Sequence, residues 1–273
     1  MKHSARRVIA AITAAAAALA LTACSGASAP EEISLDTPLR VGALAVPAGE
    51  MLTFAADNLA EDAGITIEFV EFNDYNTPNP ALSDGSIDAN LFQHQDFLDK
   101  YNEESGDDLV SLGTIYLPAA AFHSSKYDSI EALPEGAVIS IPNDPTNEGR
   151  ALELLAASGA IEIEAGATKP DGITANPRNF RFIEIDNATL PRALEDNDAG
   201  FVTSSYAIPA GLTTETVILS EQEGSKYYNV LATRPELQED PRIQRLRELL
   251  QSQELADYMT ETWGGLILPG EVK

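Results

Sequence analysis

The sequence predicts an α/β protein made of two lobes. Short apolar runs alternate with helical patterns along the chain, which favours strands and crossover helices around sheets whose strands are largely parallel. About 235 residues follow the N-terminal region, and a chain of that length is large for one core and suits two. The pattern also divides into two blocks, with a break after Phe122.

The first block is predicted to begin with the strand Leu39–Leu44. Residues 49–63 follow as a helix, because their apolar positions recur at helical spacing and would share one face. Residues 65–72, rich in β-branched and aromatic side chains, are predicted to form the next strand. The remaining segments are, in order, a turn-rich stretch over 73–80, a short helix, a strand over 87–91, a helix over 95–101 and a strand over 109–115.

The second block is predicted to begin with a strand over 138–141 and a helix that starts at Asp144-Pro145. Asp is a common cap residue, and proline suits the first helical position because its missing N–H would have no helical partner there. Gly159 is placed to end this helix. The remaining segments are, in order, an exposed loop over 169–177, strands over 180–185, 200–203 and 230–233, and a helical tail with apolar residues at 243, 246, 249 and 250.

Residues 81–89 and 193–199 repeat one short pattern. Each segment holds a short helix, an acidic turn and the beginning of a strand. Ligands of open α/β sheets collect at the carboxyl ends of strands, so two facing lobes would form a cleft between those ends. We expect lobe 1 to comprise residues 39–120 with 230–273, and lobe 2 to comprise residues 121–229.

Cys24, the only cysteine, marks the end of a predicted secretory signal. Basic residues precede an apolar run over 8–20, which is too short to cross a bilayer because a spanning helix needs roughly 20 apolar residues. The run Leu21-Thr22-Ala23-Cys24 resembles the lipobox of bacterial lipoproteins, in which the cysteine thiol carries lipid (palmitate among the acyl chains) and becomes the mature N-terminus. An ordinary signal with an incidental cysteine is the alternative.

This resemblance implies an address outside the cytoplasm. Residues 1–23 would be removed as a signal peptide, and lipid on Cys24 would hold the chain at the extracytoplasmic face of the cell membrane. Residues 24–38, rich in Ser, Ala, Pro and Glu, would form the lipidated N-terminus and a flexible tether. Loss of residues 1–23 removes three basic residues and no acidic one, so the net charge changes from −26 to −29. That charge argues against binding nucleic acid, whose phosphates need a basic face.

Sequence signatures of catalysis are missing. The chain has no nucleophile elbow, P-loop or dinucleotide fingerprint, and no cysteine follows Cys24 to form a disulfide or a metal site. His94 and His123 lack a second histidine or acidic residue at zinc-binding spacing. We therefore expect no enzyme, no cofactor and no metal. An exported lipoprotein enzyme that uses clustered carboxylates, and a surface adhesin, remain as alternatives.

Asn, Tyr, Arg and Pro are concentrated at predicted strand ends, over 71–82, 88–94, 141–152 and 227–229. In these segments the chain resembles the methionine-binding lipoproteins of ABC importers, the NlpA or MetQ family. The most specific piece is Pro142-Asn143-Asp144-Pro145-Thr146-Asn147-Glu148-Gly149-Arg150-Ala151-Leu152.

The resemblance extends from Leu39 to Trp263. It implies a type II periplasmic-binding-protein fold, in which two α/β lobes are joined by two crossings and the ligand cleft lies between the lobes. The implied ligand is L-methionine or a close relative, and the implied partners are a membrane permease and its ATPase. The family uses no metal and performs no chemistry.

Arg150 and Asn229 are the residues expected to hold the polar end of such a ligand. A guanidinium can grip a carboxylate bidentately, and Arg150 stands just inside a predicted helix whose N-terminal amides favour anions. A surface salt bridge is its alternative role. Asn229 precedes a predicted strand and would bond the ligand from the opposite wall; a turn-stabilising role is its alternative.

The apolar part of the cleft is expected to surround a thioether, because sulfur contacts aromatic rings favourably. Thr203 stands where the resemblance implies an asparagine that contacts ligand, and threonine lacks the amide's paired donor and acceptor. A different small zwitterion or a methionine-containing dipeptide therefore remains open. The complete set of predicted ligand-binding residues is Tyr75, Asn90, Phe92, His94, Tyr116, Asn147, Arg150, Thr203 and Asn229.

Overall fold

The computed structural model describes residues 35, 37–221, 224–264 and 266–273. The predicted signal peptide, the lipidation at Cys24 and almost all of the predicted tether lie outside these residues. The strands of the described part are β1 (Leu39–Leu44), β2 (Ile67–Phe72), β3 (Ala89–His94), β4 (Val110–Pro118), β5 (Ala120–His123), β6 (Val138–Pro142), β7 (Glu162–Ile163), β8 (Ile173–Ala175), β9 (Arg181–Ile185), β10 (Ala199–Thr203), β11 (Val217–Ser220), β12 (Asn229–Thr233) and β13 (Ile267–Pro269).

Helices separate most of these strands, as the alternating pattern predicts. The described α-helices are α1 (Glu50–Asn58), α2 (Ala60–Ala63), α3 (Pro78–Ser83), α4 (Gln95–Ser105), α5 (Pro145–Ala157), α6 (Leu190–Ala193), α7 (Ser204–Ala207), α8 (Pro241–Leu250) and α9 (Gln253–Trp263). Within the described ranges, no helix combines the length and the apolar character needed to cross a membrane.

Two larger sheets organise the described chain. The first has the order β13-β4-β12-β3-β1-β2, and the second has the order β11-β5-β10-β6-β9. The chain passes from the first sheet to the second between Pro118 and Ala120, and it returns between Ser220 and Asn229. The lobe boundaries derived from the sequence stay a prediction.

The expectation of largely parallel strands holds for the direction of most strands in the two larger sheets but not for every neighbouring pair. The central pairs β1–β2, β1–β3, β6–β9 and β6–β10 are parallel, but β4, β5, β11, β12 and β13 all pair antiparallel with their neighbours. Strands β4 and β5 flank the first crossing, β11 and β12 flank the second, and β13 is the last strand. Only β5, β12 and β13 run opposite to the other strands of the two larger sheets, because β12 is antiparallel to both β3 and β4, and β5 is antiparallel to both β10 and β11. The reversed strands β5 and β12 each come directly after a crossing between the sheets.

The repeated pattern of the sequence corresponds to one structural unit present in both sheets. Strands β3 and β10 each follow a short helix, and each lies between a parallel and an antiparallel neighbour. An aspartate just before each strand accepts an N–H from the first or second residue of the parallel neighbour. Asp88 accepts from Arg40 and Asp198 accepts from Val138, both at 2.9 Å.

Helices cover both faces of each sheet, which explains why the central strands are buried along most of their length. In the first sheet, Val41 packs with helix residues such as Met51 and Leu246 on one face, while Leu82 and Leu98 lie in a smaller cluster with β12 residues. In the second sheet, the larger cluster joins strands β5, β6 and β10 to helix α5, and a smaller one joins β10 to α6 and α7.

Local signals place α5 correctly. The Asp144 side chain accepts the N–H of Asn147 at 2.9 Å, Pro145 is the first helical residue, and Gly159 has a φ of +80° just past the helix end. Elsewhere the sequence prediction needs correction. The 49–63 helix is broken at Leu59, and Ile173–Ala175 is not loop but strand β8, paired antiparallel with β7.

Candidate ligand-binding site

A small cavity of about 10 Å³ lies where the ends of β3 and β10 meet the start of α5. The carboxyl ends of the two equivalent strands therefore supply facing walls, as expected for ligand sites in α/β folds. The residues that line the cavity are Tyr75, Phe92, Gln93, His94, Phe97, Pro118, Asn147, Arg150, Thr203 and Asn229.

Seven of the nine predicted ligand-binding residues line this cavity, and Asn90 and Tyr116 do not. Asn90 belongs to a buried amide network, in which its Nδ2 donates to Asn79 at 2.9 Å and its Oδ1 accepts from Gln93 at 3.0 Å. The network holds the amide of Gln93, a lining residue that sequence reasoning missed. Asn90 thus lies behind the wall and supports it.

Tyr116 is likewise a supporting residue. It is fully buried, and its hydroxyl accepts the Nδ2 amide of Asn229 at 2.9 Å. This bond fixes the orientation of the Asn229 amide, and among the described residues no group donates to its Oδ1. Asn229 can therefore offer an oriented acceptor to the cavity, which suits an ammonium group.

Arg150 is almost completely buried, so the alternative of a surface salt bridge is excluded. Its Nε donates to Oε1 of Glu221 at 2.7 Å, and its Nη2 donates both to Oε2 of Glu221 and to the carbonyl of Pro118. The guanidinium carbon also lies 4.6 Å from the ring centre of Tyr227, a cation–π distance. The bidentate grip expected for a ligand carboxylate is thus taken by Glu221, which sequence reasoning missed.

His94 is a neutral hydrogen-bonding residue of the wall. Its Nδ1 accepts the N–H of Phe97 at the start of α4, so the ring proton is on Nε2 and can be shared with Oδ1 of Asn147 at 3.4 Å. The Asn147 amide is oriented by Asp144, which accepts its Nδ2. Burial, with the Arg150 charge nearby, lowers the pKa of His94 to about 3.

Contacts across the cavity hold its two walls together. The hydroxyls of Tyr75 and Thr203 lie 2.9 Å apart, and the bond between His94 and Asn147 joins the same two sides. The Thr203 hydroxyl is therefore hydrogen-bonded to Tyr75. The cavity described here belongs to a closed arrangement of the cleft.

Aromatic rings form the apolar side of the cavity. Tyr75 lies 5.9 Å from Phe92 and 5.0 Å from Tyr206 between ring centres, and Phe92 meets Phe97 edge-on at 5.8 Å. Phe97 was not predicted as a site residue, because its position in α4 marks it equally as an ordinary helix residue. The fold brings it beside Phe92 through the direct succession of β3 and α4.

The comparison with known proteins decides the family. A family model described as NlpA lipoprotein matches residues 39–271 of the chain. The chain belongs to the NlpA lipoprotein family. Several curated members are similar over nearly the whole chain. A protein of Haemophilus influenzae named probable D-methionine-binding lipoprotein MetQ is 34% identical and covers 90% of this chain and 92% of its own. The D-methionine-binding lipoprotein MetQ of Escherichia coli K12 is 32% identical, with coverages of 97% and 98%.

Solved structures of similar proteins agree with this assignment. A nutrient binding protein from Burkholderia cenocepacia, bound to methionine, has a TM-score of 0.82 and 35% identity, covering 85% of this chain and 99% of its own. A periplasmic substrate-binding protein of an ABC transporter from Coxiella burnetii has the same TM-score and 36% identity, covering 85% and 100%. This NlpA-family chain therefore has the α/β fold of periplasmic substrate-binding proteins.

Proposed function

We propose that this NlpA-family protein is the substrate-binding subunit of an ABC importer and that it binds methionine. It would be anchored by lipid on Cys24 at the extracytoplasmic face of the membrane, perform no catalysis and deliver its ligand to a permease driven by an ATPase. The observation that carries the proposal is the closed cavity between two equivalent strand ends, which combines an arginine, oriented amides and aromatic rings.

The chemistry of the cavity walls supports an α-amino acid. Two of the five Arg150 N–H donors, those on Nη1, have no partner among the described residues, and they would bind the ligand carboxylate. The acceptor Oδ1 of Asn229 would take the ammonium group. Both ends of a zwitterion need such partners once water is excluded.

The aromatic side suits a thioether. Tyr75, Phe92 and Phe97 supply aromatic rings to the cavity lining, and sulfur–aromatic contacts contribute about 0.3–1.5 kcal/mol each. Asn147 and His94 would close the cavity over the ligand through their mutual bond, and Thr203 would do so through Tyr75. Lobe closure of this kind would give the permease a shape to recognise.

Isothermal titration calorimetry on the purified full-length protein tests the proposal. The panel contains L-methionine, D-methionine, leucine, glutamate and a methionine-containing dipeptide. We expect saturable binding of methionine, tighter than that of the other amino acids. Absence of binding to either methionine enantiomer would contradict the proposed substrate, and tighter binding of the dipeptide would replace it.

Arg150→Gln tests the polar end of the site. We expect methionine binding to weaken by at least about thirtyfold, because a hydrogen bond between charged groups contributes roughly 2 kcal/mol or more. Arg150→Lys keeps the charge but loses the planar fork, so an intermediate loss is expected. The matched control is Arg245→Gln, since Arg245 bonds the carbonyl of Ala63 far from the cavity. Unchanged affinity in a folded Arg150→Gln protein would refute the assignment.

A further inference from the structure

Glu221 is a buried carboxylate that stands directly behind the cavity. Its side chain is 7% exposed and that of Arg150 is 1% exposed, so the pair is withdrawn from water. Besides the two bonds from Arg150, Oε2 of Glu221 accepts the N–H of Ala120 at 3.1 Å. The Glu221 N–H in turn donates to the carbonyl of Ala120 at 3.1 Å. Backbone on one side and guanidinium on the other therefore fix this carboxylate at the crossings between the sheets.

The pair also decides which part of Arg150 is left for a ligand. Glu221 occupies Nε and one N–H of Nη2, and Pro118 occupies the other N–H of Nη2. The remaining donors are those of Nη1, on an arginine that lines the cavity. A ligand carboxylate can thus bind Arg150 without displacing Glu221, at a single nitrogen.

The charge of the site follows from the same contacts. Among the described residues that line the cavity, Arg150 alone is charged near neutral pH, because burial keeps His94 uncharged. Glu221 cancels that charge. Lys226, a cation close enough to act on His94, has an exposed amine paired with Glu153 at 3.2 Å. The described lining residues and Glu221 therefore carry no net charge together.

A neutral buried site discriminates between ligands by their net charge. A buried charge without a partner is strongly destabilising, whereas a fully paired set of charges is tolerated. A zwitterion brings one charge of each sign and leaves the total at zero. An anionic ligand of the same shape leaves one negative charge uncompensated, beside the Glu221 carboxylate.

We propose that Glu221 is a specificity-determining residue that makes the closed cavity accept zwitterionic ligands and reject their anionic analogues. The inference rests on the proposed function, since it assumes an amino-acid ligand at Arg150. Without Glu221, the unbalanced Arg150 would favour an anion instead.

The experiment measures how strongly the protein prefers a zwitterion over an anion of the same shape. Calorimetry on the full-length protein compares L-methionine with 2-hydroxy-4-(methylthio)butanoate, in which a hydroxyl replaces the ammonium group. We expect the wild type to bind the hydroxy acid at least about thirtyfold more weakly, in line with about 2 kcal/mol for truncating one partner of a buried charge pair. Glu221→Gln should reduce this ratio of Kd values by at least about tenfold.

Two further variants separate charge from structure. Glu221→Asp keeps the negative charge on a shorter side chain and should keep a preference for methionine. Glu236→Gln removes an exposed carboxylate that pairs with Arg234 at 2.8 Å, and it should leave both affinities unchanged. Circular dichroism establishes that each variant is folded.

The outcomes are distinct. A folded Glu221→Gln protein that binds methionine and keeps the wild-type ratio would overturn the role of Glu221 while leaving the proposed function intact. Failure of the wild type to bind methionine would overturn the proposed function and this inference with it. If Glu221→Gln does not fold, the wild-type ratio decides: similar affinities for the two probes overturn the proposal, and the expected ratio, retained in Glu221→Asp, supports it.

Discussion

Replacing Glu148 with glutamine should stabilise the protein at pH 8 and leave its stability near pH 4.5 unchanged. Glu148 lies in the first turns of α5, is fully buried, and neither of its carboxylate oxygens accepts a hydrogen bond within the described structure. Burial, with the Glu184 carboxylate nearby, raises the pKa of Glu148 from 4.5 to about 7. The residue is therefore half protonated near neutral pH.

The sign of the effect follows from proton linkage. Between pH 4.5 and 7, native Glu148 holds a proton that the unfolded chain has released, so the free energy of unfolding decreases as the pH rises through this window. One pKa unit corresponds to about 1.4 kcal/mol, which gives roughly 3 kcal/mol at most above pH 7. Glutamine resembles the protonated acid and does not titrate, so Glu148→Gln should recover about 1–3 kcal/mol at pH 8.

Urea unfolding followed by circular dichroism at pH 4.5, 6 and 8 measures this difference. In thermal unfolding, each kcal/mol should raise Tm by about 2–4 °C for a chain of this size. Glu103→Gln is the matched control, because Glu103 is an exposed helix residue paired with Lys100. A Glu148→Gln effect of the same size at pH 4.5 and pH 8 would refute the linkage argument.

Two further predictions concern the ligand contact and the anchor. Thr203→Asn should strengthen methionine binding by roughly threefold to tenfold, since asparagine adds an amide donor and acceptor at the cavity wall where the threonine hydroxyl is bonded to Tyr75; an unchanged Kd in calorimetry would count against a methionine site. Cys24→Ala should move the protein from the membrane to the soluble fraction without altering its Kd for methionine, as followed by cell fractionation and calorimetry. Ser28→Ala, a change within the same predicted tether, should alter neither the membrane location nor the Kd for methionine. Loss of ligand binding in Cys24→Ala would contradict an independent binding domain.

The elements predicted most accurately are those fixed by local chemistry. The start of α5 depends on Asp144 and Pro145, which act within one helical turn, so the sequence alone locates it. Strand β1 is predicted with its observed ends, because Pro38 precedes its apolar run and Pro47 and Gly49 follow within five residues. The repeated pattern over 81–89 and 193–199 also predicts a real equivalence, since strand position and the preceding acidic turn recur in both sheets.

What the sequence leaves open depends on contacts between distant residues. Arg150 and Glu221 are 71 positions apart, and nothing in the run around Glu221 distinguishes it from the many exposed acidic residues. Asn90 and Tyr116 are predicted as ligand contacts because they stand at the ends of the predicted strands 87–91 and 109–115, yet the direction of each side chain is set by partners in other elements. The antiparallel strands are missed for a related reason, because strand direction depends on where the chain crosses between the sheets.

The equivalent aspartates, Asp88 and Asp198, bear on which lengths of ligand the cavity would accept. Each ties the base of a cavity-forming strand to the neighbouring strand, so both cavity walls are braced in the same way. A ligand that is too long would then hold the halves apart as whole bodies, and the bond between Tyr75 and Thr203 would not form. Selection by size would accordingly be expressed as incomplete closure, a change in global shape that a membrane partner can detect without touching the ligand.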